Sequence, residues 1–476
     1  MSSRSVLTPG RLVAALVVFQ CLVLVAIPYA FSSAPPLDVV EGLVWAPHWL
    51  IGTYKHPPLP AWMIEISVLV FRDVILGPYL VAQLCMALTY WFIYRLGRLF
   101  LDPLRAAAGT ILMAGSYYFT VPTLEFNHNV VQLPLWSGAL LVFAYLRRQP
   151  NSWTLWLGLG ALGGFALYGK YTFALLLIVL LALALYERGT RQAFATLKPY
   201  LAMLIALLLF SPHLVWLINH HFEPFTYALE RSGGGSTSNP FRFLLAQVAD
   251  HLPMAILLAA AGIRGIWRSE RVDRSLEALS FVRLISFGPI LLTLVLFVFS
   301  SSSAKDMWGM PMFTPLGLWL VMELGREWSL PQVKRATLAA MALILLVGAG
   351  FAVQSLHPYR GIPPRTNWPM RELANKVDQL WQARTEKPLR LIGGAPFVAG
   401  LAALGHPARL PVMIGLDGRH SPWVNATEIA DTGIVFLFPS DAPVPALCGT
   451  DHDKSTITFS DPLIPDVTAI VCPPAP

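Results

Sequence analysis

The chain has 476 residues, 55% of them hydrophobic, a mean hydropathy of +0.58, and only 13% Asp, Glu, Lys and Arg. Soluble domains carry about 25% charged residues, so this deficit excludes a soluble cytoplasmic enzyme; the hydrophobicity excludes disorder, and four cysteines are too few for a disulfide-dense secreted scaffold. What remains is a polytopic α-helical membrane protein, whose net charge of +7 reads as topology before it reads as nucleic-acid binding.

Crossing the hydrocarbon takes about 20 apolar residues. Such runs fall near 11–31, 77–97, 106–123, 130–146, 152–169, 171–187, 199–218, 243–263, 281–299, 307–325 and 335–353, which predicts about eleven transmembrane helices. The first follows a basic start, is long for a signal peptide and precedes no clear A-x-A site, so it reads as an uncleaved anchor. Segment 58–71 has 14 residues, contains Glu65 and runs into Arg72 and Asp73. At about 1.5 Å per residue it is too short to span, and the expectation is a helix lying at the interface.

Charge placement supports that choice. With the N-terminus inside, eighteen Lys and Arg fall on the cytoplasmic side, among them Arg4, Arg95, Arg98, Arg105, Arg264, Arg268, Arg271 and Arg274, against six in the opposite loops. The positive-inside rule is then satisfied at every loop, whereas counting 58–71 as a span would put Arg95, Arg98 and Arg105 outside. Gly160-x-x-x-Gly164 is a small-residue pair of the kind that lets neighbouring helices approach.

Residues 354–476 change character, with 21 charged residues, frequent Pro and apolar runs of strand length. Strands are predicted at Arg390–Gly394, Gly433–Pro439, Thr456–Ser460 and Thr468–Cys472, and helices at 369–383 and 396–404. The expected organisation is therefore a membrane domain over 1–353 and a small outer α/β domain over 354–476. Cys448 and Cys472 lie in the latter, where one disulfide and two free thiols are both open readings.

Ionisable groups that a bilayer disfavours collect on the outer side. The first outer loop carries Asp38, Glu41, His48, Tyr54, Lys55 and His56; the second, TLEFNHNVVQ, carries Glu125, Asn127, His128, Asn129 and Gln132. GKYT places Lys170 and Tyr171 between two spans. His213, His220, His221, Glu223 and the Gly233–Gly235 run follow, then SSSSAKDMWGMP with Lys305, Asp306 and Trp308. Together they are expected to line one outward-facing cavity.

Each element also has a structural reading. Asp38 and Glu41 have capping-box spacing, His56-Pro57-Pro58 can be a helix restart, and Asn127-His128-Asn129 can be a turn. Lys170 and Lys305 can be snorkelling cations, and His213 a hydrogen-bonded core histidine. His220, His221 and Glu223 follow no recognised ligand spacing; no metal site is assigned, and metal assistance stays open.

The loop order is more specific than its parts. An acidic pair, then Y-K-H-P-P-L-x-A-W, an acidic N-H-N loop, G-K-Y-T, S-P-H-x-x-W and K-x-x-W-x-x-P resembles the polyprenyl-phosphate-sugar-dependent glycosyltransferases of the GT-C class. The resemblance is to the branch of the bacterial lipid A aminoarabinose transferases and protein O-mannosyltransferases. YKHPPLPAW and FNHN are most similar to bacterial enzymes that decorate lipopolysaccharide.

The resemblance implies a GT-C-like fold and a donor in which one phosphate joins a sugar to a long isoprenoid. It implies a base at Asp38 and a second acid at Glu41, although many relatives have adjacent acids, so the division of labour stays open. His56, Glu125, Lys170 and Lys305 match further family positions; with Tyr54, Lys55, Asn127, His128, Tyr171 and His213 they are the expected donor-binding residues.

Physical chemistry agrees with these roles. An attacking hydroxyl needs a carboxylate to take its proton, and a departing polyprenyl phosphate needs fixed cations. One base suffices for the expected inversion. Interfacial helices at 39–50 and 58–71 would leave the isoprenoid in lipid.

The expected activity is sugar transfer to a lipid A, lipopolysaccharide or other glycan acceptor on the periplasmic side of an inner membrane. Protein O-glycosylation is the alternative acceptor class. A flippase or transporter would show internal repeats and charges at mid-membrane, neither of which is visible in the sequence.

Overall fold

The computed structural model describes residues 8–233, 240–263, 275–299 and 305–474. Arg4, Gly234, Gly235, Arg264, Arg268, Arg271, Arg274 and Ser300–Ser303 of the sequence reading lie outside them. The helices begin with α1 (Pro9–Phe31), α2 (Leu37–Trp45), α3 (Leu59–Phe71), α4 (Leu76–Gly97), α5 (Pro103–Leu112) and α6 (His128–Arg148). They continue with α7 (Trp153–Leu167), α8 (Phe173–Tyr186), α9 (Arg188–Ala193), α10 (Lys198–Asn219), α11 (Glu223–Gly233), α12 (Pro240–His251) and α13 (Pro253–Ala260). The last six are α14 (Leu276–Phe299), α15 (Leu316–Leu324), α16 (Leu330–Leu356), α17 (Met370–Gln382), α18 (Pro396–Gly405) and α19 (Ala426–Thr432).

Among the described residues, seven helical stretches are long and apolar enough to cross a membrane: α1, α4, α6, α10, α12 with α13, α14 and α16. Each coincides with an expected span. Two more expected spans form the shorter apolar helices α7 and α8, of 15 and 14 residues.

The remaining two are interrupted. Segment 106–123 is helical only to Leu112 and continues as single 3₁₀ turns at Met113–Gly115, Tyr117–Phe119 and Val121–Leu124. Gly115 lies where a Cβ would meet the Met254 backbone at 2.7 Å, so α13 packs against this break. Segment 307–325 starts in a 3₁₀ turn at Asp306–Gly309 and becomes α-helical only at Leu316, after Pro311 and Pro315, because neither proline can donate to a preceding carbonyl. Segment 58–71 forms α3, the expected short helix.

The chain divides into two compact units, each described here alone. The first comprises residues up to Ala26, Tyr54–Pro60 and Leu80–Gly348. Its closest helix pair is α7 and α10, where a Cβ on Gly160 would come 2.2 Å from the Ala202 carbonyl oxygen and one on Gly164 2.5 Å from that of Ala206. Gly160→Ala should therefore force the helices apart and destabilise the protein by about 1–3 kcal/mol. Thermal unfolding in detergent checks this, with Gly158→Ala, whose Cβ has nothing within 4 Å, as the unchanged control.

A buried polar seam ties α1 to α4 and the 3₁₀ segment. Tyr90 donates to Gln20 Oε1 at 3.1 Å, Gln20 Nε2 to the Phe119 carbonyl at 2.9 Å, and Gln83 Nε2 to Thr123 Oγ1 at 3.2 Å. Near the end of α6, Arg147 binds both carboxylate oxygens of Glu187 (2.7 and 2.6 Å) and lies 4.0 Å over the Phe281 ring.

The second unit comprises Ile27–Thr53, Ala61–Tyr79 and the residues from Ala349 onward. Its sheet contains β1 (Ile392–Gly394), β2 (Val412–Ile414), β3 (Ile434–Phe438), β4 (Asp453–Ile457) and β5 (Val467–Cys472), ordered β2-β1-β3-β5-β4. β1 runs parallel to β2 and β3, while β5 is antiparallel to β3 and β4. Leu391, Met413, Ile434, Phe436 and Ile470 form its core, and Cys448 is bonded to Cys472.

The strand expected at Thr456–Ser460 lies three residues earlier. It is an edge strand that exposes Asp453 and Lys454, so no apolar alternation marked it. Within this unit α18 packs on α2: a Cβ on Gly400 would come 2.6 Å from Val40 and 3.2 Å from Val44. The helix bearing Asp38 and Glu41 is thus seated on a helix of the sheet layer.

Candidate active site

Asp38 and Glu41 occupy α2 of the second unit, both partly buried. The N-cap of α2 is Pro36, with no side-chain cap hydrogen bond, and Asp38 is the second helical residue. The capping-box reading of Asp38 therefore does not describe this helix. Residues three apart share a helix face, which keeps the two carboxylates on one side of α2.

In the first unit, cations and histidines from separate inter-helix segments come together. Pro57 and Pro58 end the loop carrying Lys55 and His56, and Leu59 N donates to the Tyr168 carbonyl at 3.0 Å as α3 begins. The His56 and His128 rings lie 4.0 Å apart between centroids, and His128 Nε2 is 3.2 Å from the Pro57 carbonyl. Asn127 caps α6, its Oδ1 accepting from the backbone N–H groups of Asn129 and Val130 at 2.9 and 3.3 Å. In place of the predicted turn, Asn127 satisfies the start of α6, and His128 and Asn129 are already helical.

The cap turns Asn129 inward. Its Oδ1 accepts from Lys170 Nζ at 2.5 Å, and Lys170 also lies 5.9 Å over the Trp308 ring. Trp308 N in turn donates to the Lys305 carbonyl at 2.9 Å, which fixes the start of the last outer segment. Lys55 lies 5.8 Å over Tyr227 on α11, whose ring also contacts Tyr54 and His56 edge-on at 6.0 and 6.4 Å. The charges of Lys55 and Lys170 both act on His128.

Beside this cluster, Tyr171 bonds His213 Nε2 at 2.9 Å and stacks on Phe225 at 4.7 Å. His213 is fully buried, so its geometry is that of a bonded core histidine. Glu125 closes the 3₁₀ turn Val121–Leu124 and is partly buried.

Tyr227 was not among the sequence-derived site residues, and Asn129 and Trp308 were expected only to line the cavity, yet the three hold Lys55 and Lys170. Tyr227 carries no local signal beyond its place one helical turn after Glu223. Among the described residues, no three His, Cys, Asp or Glu side chains gather closely enough to hold a metal ion.

His48 follows α2 and stacks on Trp423 at 4.2 Å. Burial lowers its imidazole pKa from 6.5 to about 4, with the nearby Glu65 charge opposing that shift. Between pH 6.5 and about 4 the unfolded chain binds a proton here that the folded chain refuses, so stability falls as pH falls through that window. After allowance for partial solvent screening, the loss is about 1–2 kcal/mol. Thermal melts of His48→Gln should show a flatter pH profile than wild type between those values.

Residues 55–216 match the family described as dolichyl-phosphate-mannose-protein mannosyltransferase, a segment that opens on Lys55 and contains His56, His128 and Lys170. The fold is shared with the crystal structure of ArnT from Cupriavidus metallidurans bound to undecaprenyl phosphate: TM-score 0.58, 15% identity, 96% of this chain and 97% of that one. This is a multi-pass membrane glycosyltransferase of GT-C fold.

Two named relatives are similar in sequence. Over 87% of this chain and 83% of its own length, the lipopolysaccharide core galacturonosyltransferase RgtA of Rhizobium johnstonii is 24% identical. An undecaprenyl phosphate-alpha-4-amino-4-deoxy-L-arabinose arabinosyl transferase 1 of Pseudomonas fluorescens is 28% identical over 63% of this chain, which spans 55% of that relative's length.

Proposed function

We propose that this enzyme transfers one sugar from a polyprenyl-phosphate donor to a lipopolysaccharide or related glycan acceptor on the periplasmic face of the inner membrane. The observation that carries the reading is the meeting of Lys55, His56, His128 and Lys170 from three outer segments around Asn129 and aromatic rings. Such a cluster suits a phosphate that gains negative charge as its bond to the sugar breaks.

In the proposed step the acceptor oxygen forms a bond to the anomeric carbon as the anomeric carbon–phosphate oxygen bond breaks. The acceptor proton passes to a carboxylate, assigned to Asp38 by its match to the family acid, and the electron pair leaves with the polyprenyl phosphate. A single displacement inverts the anomeric centre. Glu41, Tyr54, Glu125, Asn127, Tyr171, His213 and Lys305 remain proposed contributors to the site. The RgtA likeness supports a uronic acid donor and a lipopolysaccharide core acceptor, because it extends over most of both chains.

The test supplies purified protein with labelled polyprenyl-phosphate galacturonic acid or aminoarabinose and with lipid A core, core oligosaccharide or peptide acceptors. Transfer to a lipid or glycan acceptor is expected, with the anomeric configuration inverted. Transfer to peptide alone would reassign the acceptor. No transfer from any donor, accompanied by movement of lipid-linked sugar across proteoliposomes, would overturn the reading.

A further inference from the structure

A large cavity lies wholly within the second unit. It encloses 990 Å³ between the end of α1, the α3–α4 junction, the first turn of α17 and the end of α18. Arg72, Arg371 and Arg409 line it, together with Asp73 and Glu372.

The acidic groups are already committed. Asp73 Oδ1 accepts from Ile75 N and Leu76 N at 2.7 Å each, and its Oδ2 accepts from the Tyr29 hydroxyl at 3.1 Å. Glu372 is bound by Lys376 at 2.8 Å and by Ser460 Oγ at 2.9 Å. Arg409 forms a two-point pair with buried Glu65, at 3.2 and 2.9 Å. Arg72 and Arg371 differ: their side chains make no hydrogen bond or ion pair among the described residues. The cavity therefore presents two guanidinium groups outside any ion pair against the single unpaired carboxylate of Asp73, and the guanidinium is the side chain suited to two-point binding of a phosphate.

The apolar surface beside it indicates where that phosphate comes from. Immediately before Arg72, α3 exposes Ile66, Leu69, Val70 and Phe71, with relative exposures of 46–65%. Four large apolar side chains leading to an arginine at a helix end suit an amphiphile whose chains lie along the helix and whose charge reaches the cavity. A free phosphate ion would use the arginines but not the apolar face.

We propose that this cavity binds the phosphate-bearing headgroup of an anionic membrane lipid, with Arg72 and Arg371 as its ligands and the exposed face of α3 carrying the acyl chains. The site does not depend on which sugar or acceptor the enzyme uses.

The experiment measures binding of phosphatidylglycerol, phosphatidylcholine and inorganic phosphate to the full-length protein in neutral detergent, by native mass spectrometry and by shift in melting temperature. Wild type should bind phosphatidylglycerol in preference to phosphatidylcholine. Arg72→Gln or Arg371→Gln alone should weaken phosphatidylglycerol binding about fivefold, and the pair about thirtyfold. Val70→Ser with Leu69→Ser should weaken lipid binding while leaving both arginines in place. All melts are also run without lipid, and both arginines are exposed, so each single variant is a test by itself.

Unchanged lipid affinity in the arginine variants overturns the proposal. So does inorganic phosphate binding as tightly as phosphatidylglycerol with no effect of the α3 substitutions, which would make the cavity a site for free phosphate.

Discussion

Asp38→Asn should accumulate and melt like wild type yet transfer sugar about a hundredfold to ten-thousandfold more slowly, the range lost with a general base. The substitution keeps the size of the side chain and its ability to accept hydrogen bonds while removing its basicity. A capping role would predict a different result, a loss of about 1 kcal/mol of stability with turnover unchanged. The N-cap of α2 is Pro36 and no side chain caps the helix, so Asp38→Asn removes no N-cap hydrogen bond.

Glu41→Gln separates the two acids. It lies one turn further along α2, and if Asp38 alone takes the proton, Glu41→Gln should raise KM more than it lowers kcat. Kinetics of both variants beside their melting temperatures decide the matter. Turnover of Asp38→Asn equal to wild type would remove the carboxylate from the mechanism. The position of α2 gives the experiment its precision, because Val40 and Val44 seat the helix against Gly400 of α18. Gly400→Leu, which forces Val40 and Val44 off that contact, should therefore lower activity by more than the stability it loses accounts for.

Much of this fold was legible because the bilayer imposes one-dimensional rules. Apolar runs of about 20 residues marked the long helices, and Glu65 together with the 14-residue length of 58–71 marked α3 as too short to span. The sequence did not disclose what Glu65 binds. Its partner Arg409 is 344 residues away, and pairing at that separation has no periodic trace.

Nor did the interruptions in 106–123 and 307–325 show in hydropathy, since a run of turns packed inside protein can be as apolar as a helix. β2, with three residues, was too short to show a period, and β4 lacked one because it is a charged edge. At the site the chemistry-bearing residues were legible as types that a bilayer disfavours. Their holding contacts were not: Trp308 stood out only as a cavity-lining residue and Tyr227 not at all, in a chain that is 12% aromatic, and only folding brings them over Lys170 and Lys55.

Lys170 is the cation for which the structure makes the sharpest distinction between holding and catalysing. Its ammonium reaches Asn129 Oδ1 at 2.5 Å and the face of Trp308 at 5.9 Å. Lys170→Met keeps the length of the stem and its packing but removes the charge. If Lys170 steadies the departing phosphate, the variant should lose about a hundredfold to a thousandfold in kcat, the cost of removing one donor from a site of developing negative charge. The change also leaves the buried Asn129 oxygen without its ammonium partner, which should lower stability by about 1–3 kcal/mol.

Asn129→Leu serves as the control. It removes the same hydrogen bond, and it keeps the cation. A purely structural role for Lys170 predicts that both variants lose equal stability and equal activity. A phosphate role predicts that Asn129→Leu retains most of its turnover, while Lys170→Met loses turnover and also binds free polyprenyl phosphate more weakly as a product inhibitor. Equal kcat for the two variants, with product inhibition unchanged, would remove Lys170 from the reaction.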